Sequence, residues 1–427
     1  MNGTPHPDPR QQPQQPQQPL PPAQQPAGGA PGWAPPPPAA WYTPHVTTGA
    51  LPPPVAPTAP HRTGRLRIGV AALLAGALIG GGAGAGVVAL TDDDGSAGTT
   101  ATAQGVVITD PESATAVTAA AAKAAPSVVT VYVSSGSGSG SGSGVVLSAD
   151  GYVLTNDHVV SLDGAARDAT VQVRTSDGTL HDATVVGTDP TSDLAVLRLD
   201  GADGLTPATF ADSDAVQVGD LAVAIGAPLG LSDTVTDGII SATDRAVATG
   251  STQDDATVID ALQTDAAINP GNSGGALVDA AGEVVGINTA IASVASGAPG
   301  QSSQSGNIGV GFAIPGNVAQ RIAQEIMDTG TATHAVLGVN AQTAADGGNP
   351  EVGTGAQVVQ VQPGGAAAQA GLAAGDVVTA VGDRPVTTST ELTAAVRSAA
   401  PGDEVTLTVR RDGQTETVEV TLGTSAG

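Results

Sequence analysis

Between Ile68 and Leu90 the chain runs for 23 residues, IGVAALLAGALIGGGAGAGVVAL, without a charged side chain. As an α-helix rising about 1.5 Å per residue, such a run covers roughly 34 Å, enough for a hydrocarbon core of about 30 Å. It therefore divides the chain into parts that need not share a compartment. Arg62, Arg65 and Arg67 precede it, and Asp92, Asp93 and Asp94 follow it. The positive-inside bias then predicts a single transmembrane helix at 68–90 in the cell membrane, with the N-terminus cytoplasmic and everything after Thr91 extracytoplasmic. A cleaved signal peptide and a buried soluble helix are the competing readings; the first usually has a short basic region, and the second is ill served by seven glycines. Gly76, Gly80 and Gly84 have the spacing that lets two membrane helices approach closely, as does chance in a Gly/Ala-rich run.

The flanks of this run differ in kind. Residues 1–67 hold most of the 32 prolines, in stretches such as QQPQQPQQPLPPAQQP and PGWAPPPP. The prolines lack amide donors and the apolar positions are not periodic, so these residues read as a disordered cytoplasmic tail. Residues 91–121 are Thr, Ala, Gly and Asp with little periodicity, which reads as a linker. The whole chain carries a formal charge of −26, and the part after Arg67 is the acidic part. An acidic surface repels phosphate backbones, so no nucleic-acid partner is expected. The absence of cysteine excludes a thiol nucleophile and Cys-ligated metals. Neither a phosphate-binding GxxxxGK[ST] nor an HExxH zinc motif occurs, so no cofactor and no metal are expected.

From Ser127 the texture changes to short β-branched runs, among them SVVTVYV, GVVLS, GYVLT, TVQVRT, LAVLRL and EVVGIN, separated by Gly, Asp and Ser. This period-2 pattern at close spacing argues an all-β barrel or sandwich. The Gly/Ser run Ser134 to Gly144 reads as a flexible loop within it. Three segments carry chemistry: LTNDHVV places His158 just after a strand, DPTSDLAVLRL places Asp193 at the start of one, and INPGNSGGALV places Ser273 in a glycine-rich turn. A serine hydroxyl becomes a useful nucleophile when a histidine takes its proton, and the histidine needs a carboxylate to orient it. His181 and His334 are the other candidate bases beyond the linker. In GNSGG the backbone can turn so that the amides of Gly271 and Ser273 face an oxygen that becomes negative.

On these residues the sequence resembles the HtrA/Deg family of trypsin-fold serine proteases. GSGVVLSADGYVLTNDHVV is similar to the family's histidine segment, VVGTDPTSDLAVLRL to its aspartate strand, LQTDAAINPGNSGGALVDAAGEVVGIN to its serine segment, and GNIGVGFAIP to the strand closing its cleft. The resemblance implies a trypsin-like double β-barrel at 122–330, with catalytic His158, Asp193 and Ser273. It further implies an oxyanion loop of Gly271, Asn272 and Ser273, and a substrate pocket at Ala267, Ile268 and Ile291 suited to small or medium aliphatic side chains. DGIISATDR resembles a segment whose arginine, Arg245 here, relays activation. The resemblance also implies a homotrimer, for which Tyr132 is the aromatic residue near the start of the unit.

NVAQRIAQEIMDTG has apolar residues at 318, 322, 326 and 327 and a terminating glycine, and so reads as a helix closing this unit. The remaining residues, 331–427, give strands, a short helix stopped by Gly371, and a helix with Thr388 and Glu391 at capping-box spacing. They resemble an α+β PDZ domain. That resemblance implies capture of a C-terminal peptide by Val336, Leu337, Gly338 and Val339, with Leu392, Ala395 and Val396 lining the groove. Leu392 and Val396 read equally well as core. Together these readings describe a membrane-anchored, ATP-independent endopeptidase acting on unfolded or misfolded proteins and regulated by peptide. A non-enzymatic peptide sensor on the same fold is the alternative.

Overall fold

The alternating runs close into two barrels. In the computed structural model the described residues are 115–136, 138–162, 169–227, 234–249, 257–290, 309–345 and 352–426, with the backbone of two short strands, β1 (Ala101–Ala103) and β2 (Val106–Ile108). The expected tail, the membrane segment and Ile291 lie outside them. Among the described residues no helix is long and apolar enough to cross a membrane.

Helix α1 (Ala116–Ala124) is capped by the Thr115 side chain, which accepts from Thr118 N–H. The stretch expected to be linker as far as residue 121 thus ends in a helix. The reason is local and tertiary together: an alanine-rich run has high helix propensity, Ala120 and Ala124 are buried, and Lys123 reaches Glu283 at 3.1 Å.

The first barrel comprises β3 (Val128–Ser135), β4 (Gly138–Val146), β5 (Tyr152–Thr155), β6 (Thr170–Arg174), β7 (Leu180–Asp189) and β8 (Leu194–Leu199), closed in the order β3-β4-β5-β8-β7-β6. A short helix, α2 (Asp157–Ser161), follows β5. Contrary to the loop expected over Ser134 to Gly144, the Gly/Ser run forms β4 and pairs along its length with β3. Its glycines answer to packing. A Cβ at Gly142 would lie 2.7 Å from Val159, and one at Gly144 would lie 2.6 Å from Val153. Small residues at alternate positions let the barrel wall approach its neighbours, which loop propensity alone does not reveal.

The second barrel comprises β9 (Leu221–Gly226), β10 (Thr234–Thr249), β11 (Thr257–Thr264), β12 (Ala276–Val278), β13 (Val284–Thr289) and β14 (Gly311–Pro315), closed in the order β10-β11-β14-β13-β12-β9. Aliphatic side chains fill both interiors, Val131, Val153, Val173 and Leu197 in the first and Ala224, Ile240, Leu262 and Leu277 in the second. A further cluster, including Leu154, Leu194, Ile225 and Ile287, joins strands of both barrels to helix α3 (Gly316–Thr329). Helix α3 buries Ala319, Ile322, Ala323 and Ile326 and ends at Gly330, whose φ of +83° favours glycine.

Beyond α3, β15 (Thr333–Val336) leads into a six-stranded sheet. The elements after β15, in chain order, are β16 (Val339–Ala345), β17 (Gly353–Val361), α4 (Ala366–Gln369), β18 (Val377–Val381), β19 (Arg384–Pro385), α5 (Ser389–Ser398), β20 (Glu404–Arg411), β21 (Gln414–Thr421) and β22 (Gly423–Ala426), of which strands β16 to β21 form the sheet. Strand β16 lies at one edge of the sheet, and β22 pairs with β15. Helix α5 begins with the expected reciprocal Thr388–Glu391 capping box. Arg384 fastens this part to the second barrel: Nη1 donates to Asp260 Oδ2 at 2.9 Å, Nη2 donates to the Asp244 carbonyl at 2.8 Å, and Nη2 also lies 2.9 Å from Asp260 Oδ1.

Candidate active site

Each predicted chemical group leaves a different strand. His158 is in the first turn of α2, just after β5, and Asp193 immediately precedes β8. The first barrel's β5–β8 pairing brings these two strand ends together, with Thr155 opposite Ala195. Asp193 is 3% exposed and adopts φ +55°, a conformation unusual for a residue with a side chain. Its carboxylate accepts the His158 backbone N–H at 3.1 Å, sits 2.9 and 3.0 Å from His158 Nδ1, and accepts the Thr289 hydroxyl at 3.0 Å. Asn156 adds a bond from its side-chain amide to the Asp193 carbonyl at 2.8 Å. A buried carboxylate facing Nδ1 holds the ring with Nε2 free to take a proton.

Thr289 is the link to the second barrel. The next residue, Ala290, donates its backbone N–H to Ser273 Oγ at 3.1 Å. Ser273 is 2% exposed and makes no hydrogen bond to His158 in this arrangement. The two are therefore joined through Asp193, Thr289 and Ala290. Sequence reasoning missed Thr289 and Ala290, because they lie at and just past the end of a strand whose only signal is its apolar pattern.

The turn before Ser273 has Gly271 at φ +101°. Among the described residues, neither the Gly271 nor the Ser273 backbone N–H has an acceptor. These two amides can receive an anionic oxygen. Asn272, grouped with them from sequence, is used otherwise: its N–H donates to the Asn269 carbonyl at 2.9 Å and its side-chain amide to the Ala267 carbonyl at 3.2 Å. Ala267 is partly buried, while Ile268 is 6% exposed within the second barrel's core beside Leu262 and Ala313.

The other histidines are elsewhere. His181 lies on β7 with Nδ1 3.3 Å from the Asp200 carbonyl. His334 is buried, with Nε2 2.9 Å from the equally buried Asp189. Asp157, beside His158, is pushed up to about 6, first by burial and then by the Asp193 charge. Arg245, on β10, donates from Nε to Gln263 at 3.1 Å, and its neighbour Asp244 is the residue that Arg384 reaches. Tyr132 on β3 has the Arg174 guanidinium 5.6 Å over its ring.

A second concave site lies between β16 and α5. Val336, Leu337, Gly338 and Val339 line it, facing Leu392 and Val396. Leu392 and Val396 belong to the core as well, at 3% and 5% exposure. The Leu337 and Gly338 carbonyls accept Ala367 and Gln362 N–H at 2.8 Å each, while the Leu337 and Gly338 N–H groups have no acceptor among the described residues. Backbone donors at the end of a groove lined by aliphatic and polar side chains suit a peptide carboxylate.

The profile of the trypsin-like peptidase domain matches residues 142–287, which contain His158, Asp193 and Ser273, and that of the PDZ domain matches residues 335–422. Serine protease PepD of Mycobacterium tuberculosis is 50% identical over 285 residues, covering 65% of this chain and 60% of that protein. Periplasmic pH-dependent serine endoprotease DegQ of Escherichia coli is 41% identical over 285 residues, covering 66% of this chain and 58% of that protein. The chain thus spans about 60% of the length of these curated relatives. The solved structure of the HtrA-type protease AlgW with a tripeptide aligns with a TM-score of 0.54 and 38% identity, covering 72% of this chain and 97% of that one.

Proposed function

The chain belongs to the HtrA-type family of trypsin-like serine proteases with a PDZ domain, and on that premise we propose that it is an ATP-independent endopeptidase for unfolded or misfolded extracytoplasmic proteins. The observation that carries this reading is the Asp193 carboxylate, which holds both the ring and the backbone amide of His158 and is tied to Thr289, whose neighbour Ala290 bonds Ser273.

Ser273 Oγ turns from the Ala290 N–H to His158 Nε2, which takes its proton as Oγ attacks the scissile carbonyl. The carbonyl oxygen becomes negative and accepts the Gly271 and Ser273 N–H groups. His158 returns the proton to the leaving amine, the C–N bond breaks, and an ester remains on Ser273. Water then attacks the ester with His158 again as base, releasing the acid and restoring the serine hydroxyl. Asp193 stabilises the imidazolium throughout. On this reading Ala267 and Ile268 face the side chain before the cleaved bond, and neither offers an acid to Lys or Arg.

The PDZ groove receives a C-terminal peptide as a strand added to β16, with its carboxylate on the Leu337 and Gly338 amides. Arg245 relays that binding toward the oxyanion loop. The anchor at 68–90 and a trimer near Tyr132 complete the reading. Mass-spectrometric mapping of cuts in unfolded casein tests the pocket: cuts should follow Val, Ala and similar side chains, and clustering after Lys or Arg contradicts it.

A further inference from the structure

Ser143, on the glycine/serine strand β4, is fully buried and uses all its polar groups around the catalytic centre. Its hydroxyl donates to the Gly271 carbonyl at 2.7 Å and accepts the Ala227 N–H at 2.8 Å. Its backbone N–H donates to the Ser273 carbonyl at 2.8 Å, and its carbonyl accepts the Thr155 hydroxyl at 2.6 Å. The direction of the hydroxyl proton is fixed, because a backbone N–H can only donate and so leaves the proton for Gly271. Two of the four bonds therefore end on the turn that carries Ser273, and one ends on the strand that leads to His158.

We propose that Ser143 is a positioning residue for the oxyanion site. The proposal rests on the active-site reading given above. The Gly271 carbonyl and the Asn272 N–H belong to one peptide group, the plane between the two free amides. Ser143 holds one side of that plane, and the Asn269 carbonyl holds the other at 2.9 Å. With the plane fixed, the Gly271 and Ser273 N–H groups stay on the side that faces substrate. Gly271, at φ +101°, has the freedom to turn otherwise. Without the Ser143 hydroxyl the Gly271 carbonyl is left buried without a donor, and the turn gains by rotating to find one. No side chain fills the gap, because Gly226 and Gly274 leave none: a Cβ at Gly226 would lie 2.9 Å from Ser143 Oγ, and one at Gly274 would collide with the Ser143 carbonyl.

The test compares the full-length chain, Ser143→Ala and Thr175→Val in mild detergent. Thr175 is a buried hydroxyl in a first-barrel turn, bonded to Asp177 and the Thr179 carbonyl and making no bond to the Ser273 turn. Ser143→Ala should lower kcat on labelled unfolded casein by roughly 10- to 100-fold with KM nearly unchanged. The inhibition constant of a valine peptidyl boronate, whose tetrahedral adduct needs the oxyanion site, should rise by the same factor. Thr175→Val should lower Tm and leave kcat alone. A Ser143→Ala kcat equal to that of the full-length chain overturns the proposal, as does a change matched by Thr175→Val. If Ser143→Ala does not fold, Ser143→Cys, with a weaker donor at the same place, carries the same test and should show the same split between kcat and KM. A parent chain that cannot be labelled by a fluorophosphonate at Ser273 overturns the underlying reading instead, so the two failures are distinct.

Discussion

Asp193 does its work by being saturated. Its carboxylate meets one ring nitrogen, one backbone amide and one hydroxyl, and the left-handed backbone that aims it there is held by Asn156 and the β5–β8 ladder. Asp157, one residue before the base, is in the opposite situation, since burial and the Asp193 charge push it up to about 6. The unfolded chain loses that proton near the ordinary carboxylate value of 3.8, so above pH 6 the folded chain bears an ionised group that its surroundings disfavour. Stability from this site is highest below about pH 4 and declines as pH rises toward 6. Asp157→Asn should therefore raise Tm at pH ~7.5 and have little effect at pH ~4; thermal denaturation with a larger gain at the acid end would contradict the assignment. His158 and Ser273 were legible in sequence because their chemistry travels with short motifs. Thr289 and Ser143 were not, because each acquires its role only when a group of the other barrel comes within hydrogen-bond reach.

Strand β4 shows why local propensity misleads. Glycine and serine favour loops, yet here the glycines are selected by what lies opposite them. At Gly144 an added methyl would meet Val153 and Val129, whereas at Gly138 it would meet nothing within 4 Å. Gly144→Ala should lower stability by about 1–3 kcal/mol through overpacking, and Gly138→Ala should leave it unchanged or slightly raise it. Equal effects at the two positions, read by chemical denaturation, would refute the close-packing explanation. The other strands were legible because a buried β-branched run has few alternatives in a chain so poor in aromatics. Helix α1 was not, since its alanines carry no polar and apolar alternation and its burial depends on the second barrel. Between β19 and β11, burial holds Asp260 up at about 6 against the pull of Arg384. Arg384→Ala removes the guanidinium that pulls Asp260 down and should move its midpoint higher still, as carboxyl-carbon NMR titration would report; a downward move would mean that burial is not the dominant cause.

Two closed barrels place His158 and Asp193 on one wall and the Ser273 turn on the other, with Ser143 and Thr289 as polar ties across the divide. The PDZ domain adds a second concave site to the same chain, with the Leu337 and Gly338 amides at its end without acceptors among the described residues. The sequence separated these units by texture, first β-branched runs and then an α+β pattern, but their attachment through Arg384 depends on tertiary approach and left no local mark. The central claim is that Ser273 is the nucleophile, and it is tested most directly by cleavage of unfolded casein by the full-length chain alongside Ser273→Ala, with and without peptides ending in an apolar residue. Cleavage by the parent chain should fall by several orders of magnitude in the variant under every peptide condition. Cleavage that survives in Ser273→Ala, or a parent chain that binds peptide and never cleaves, would contradict it.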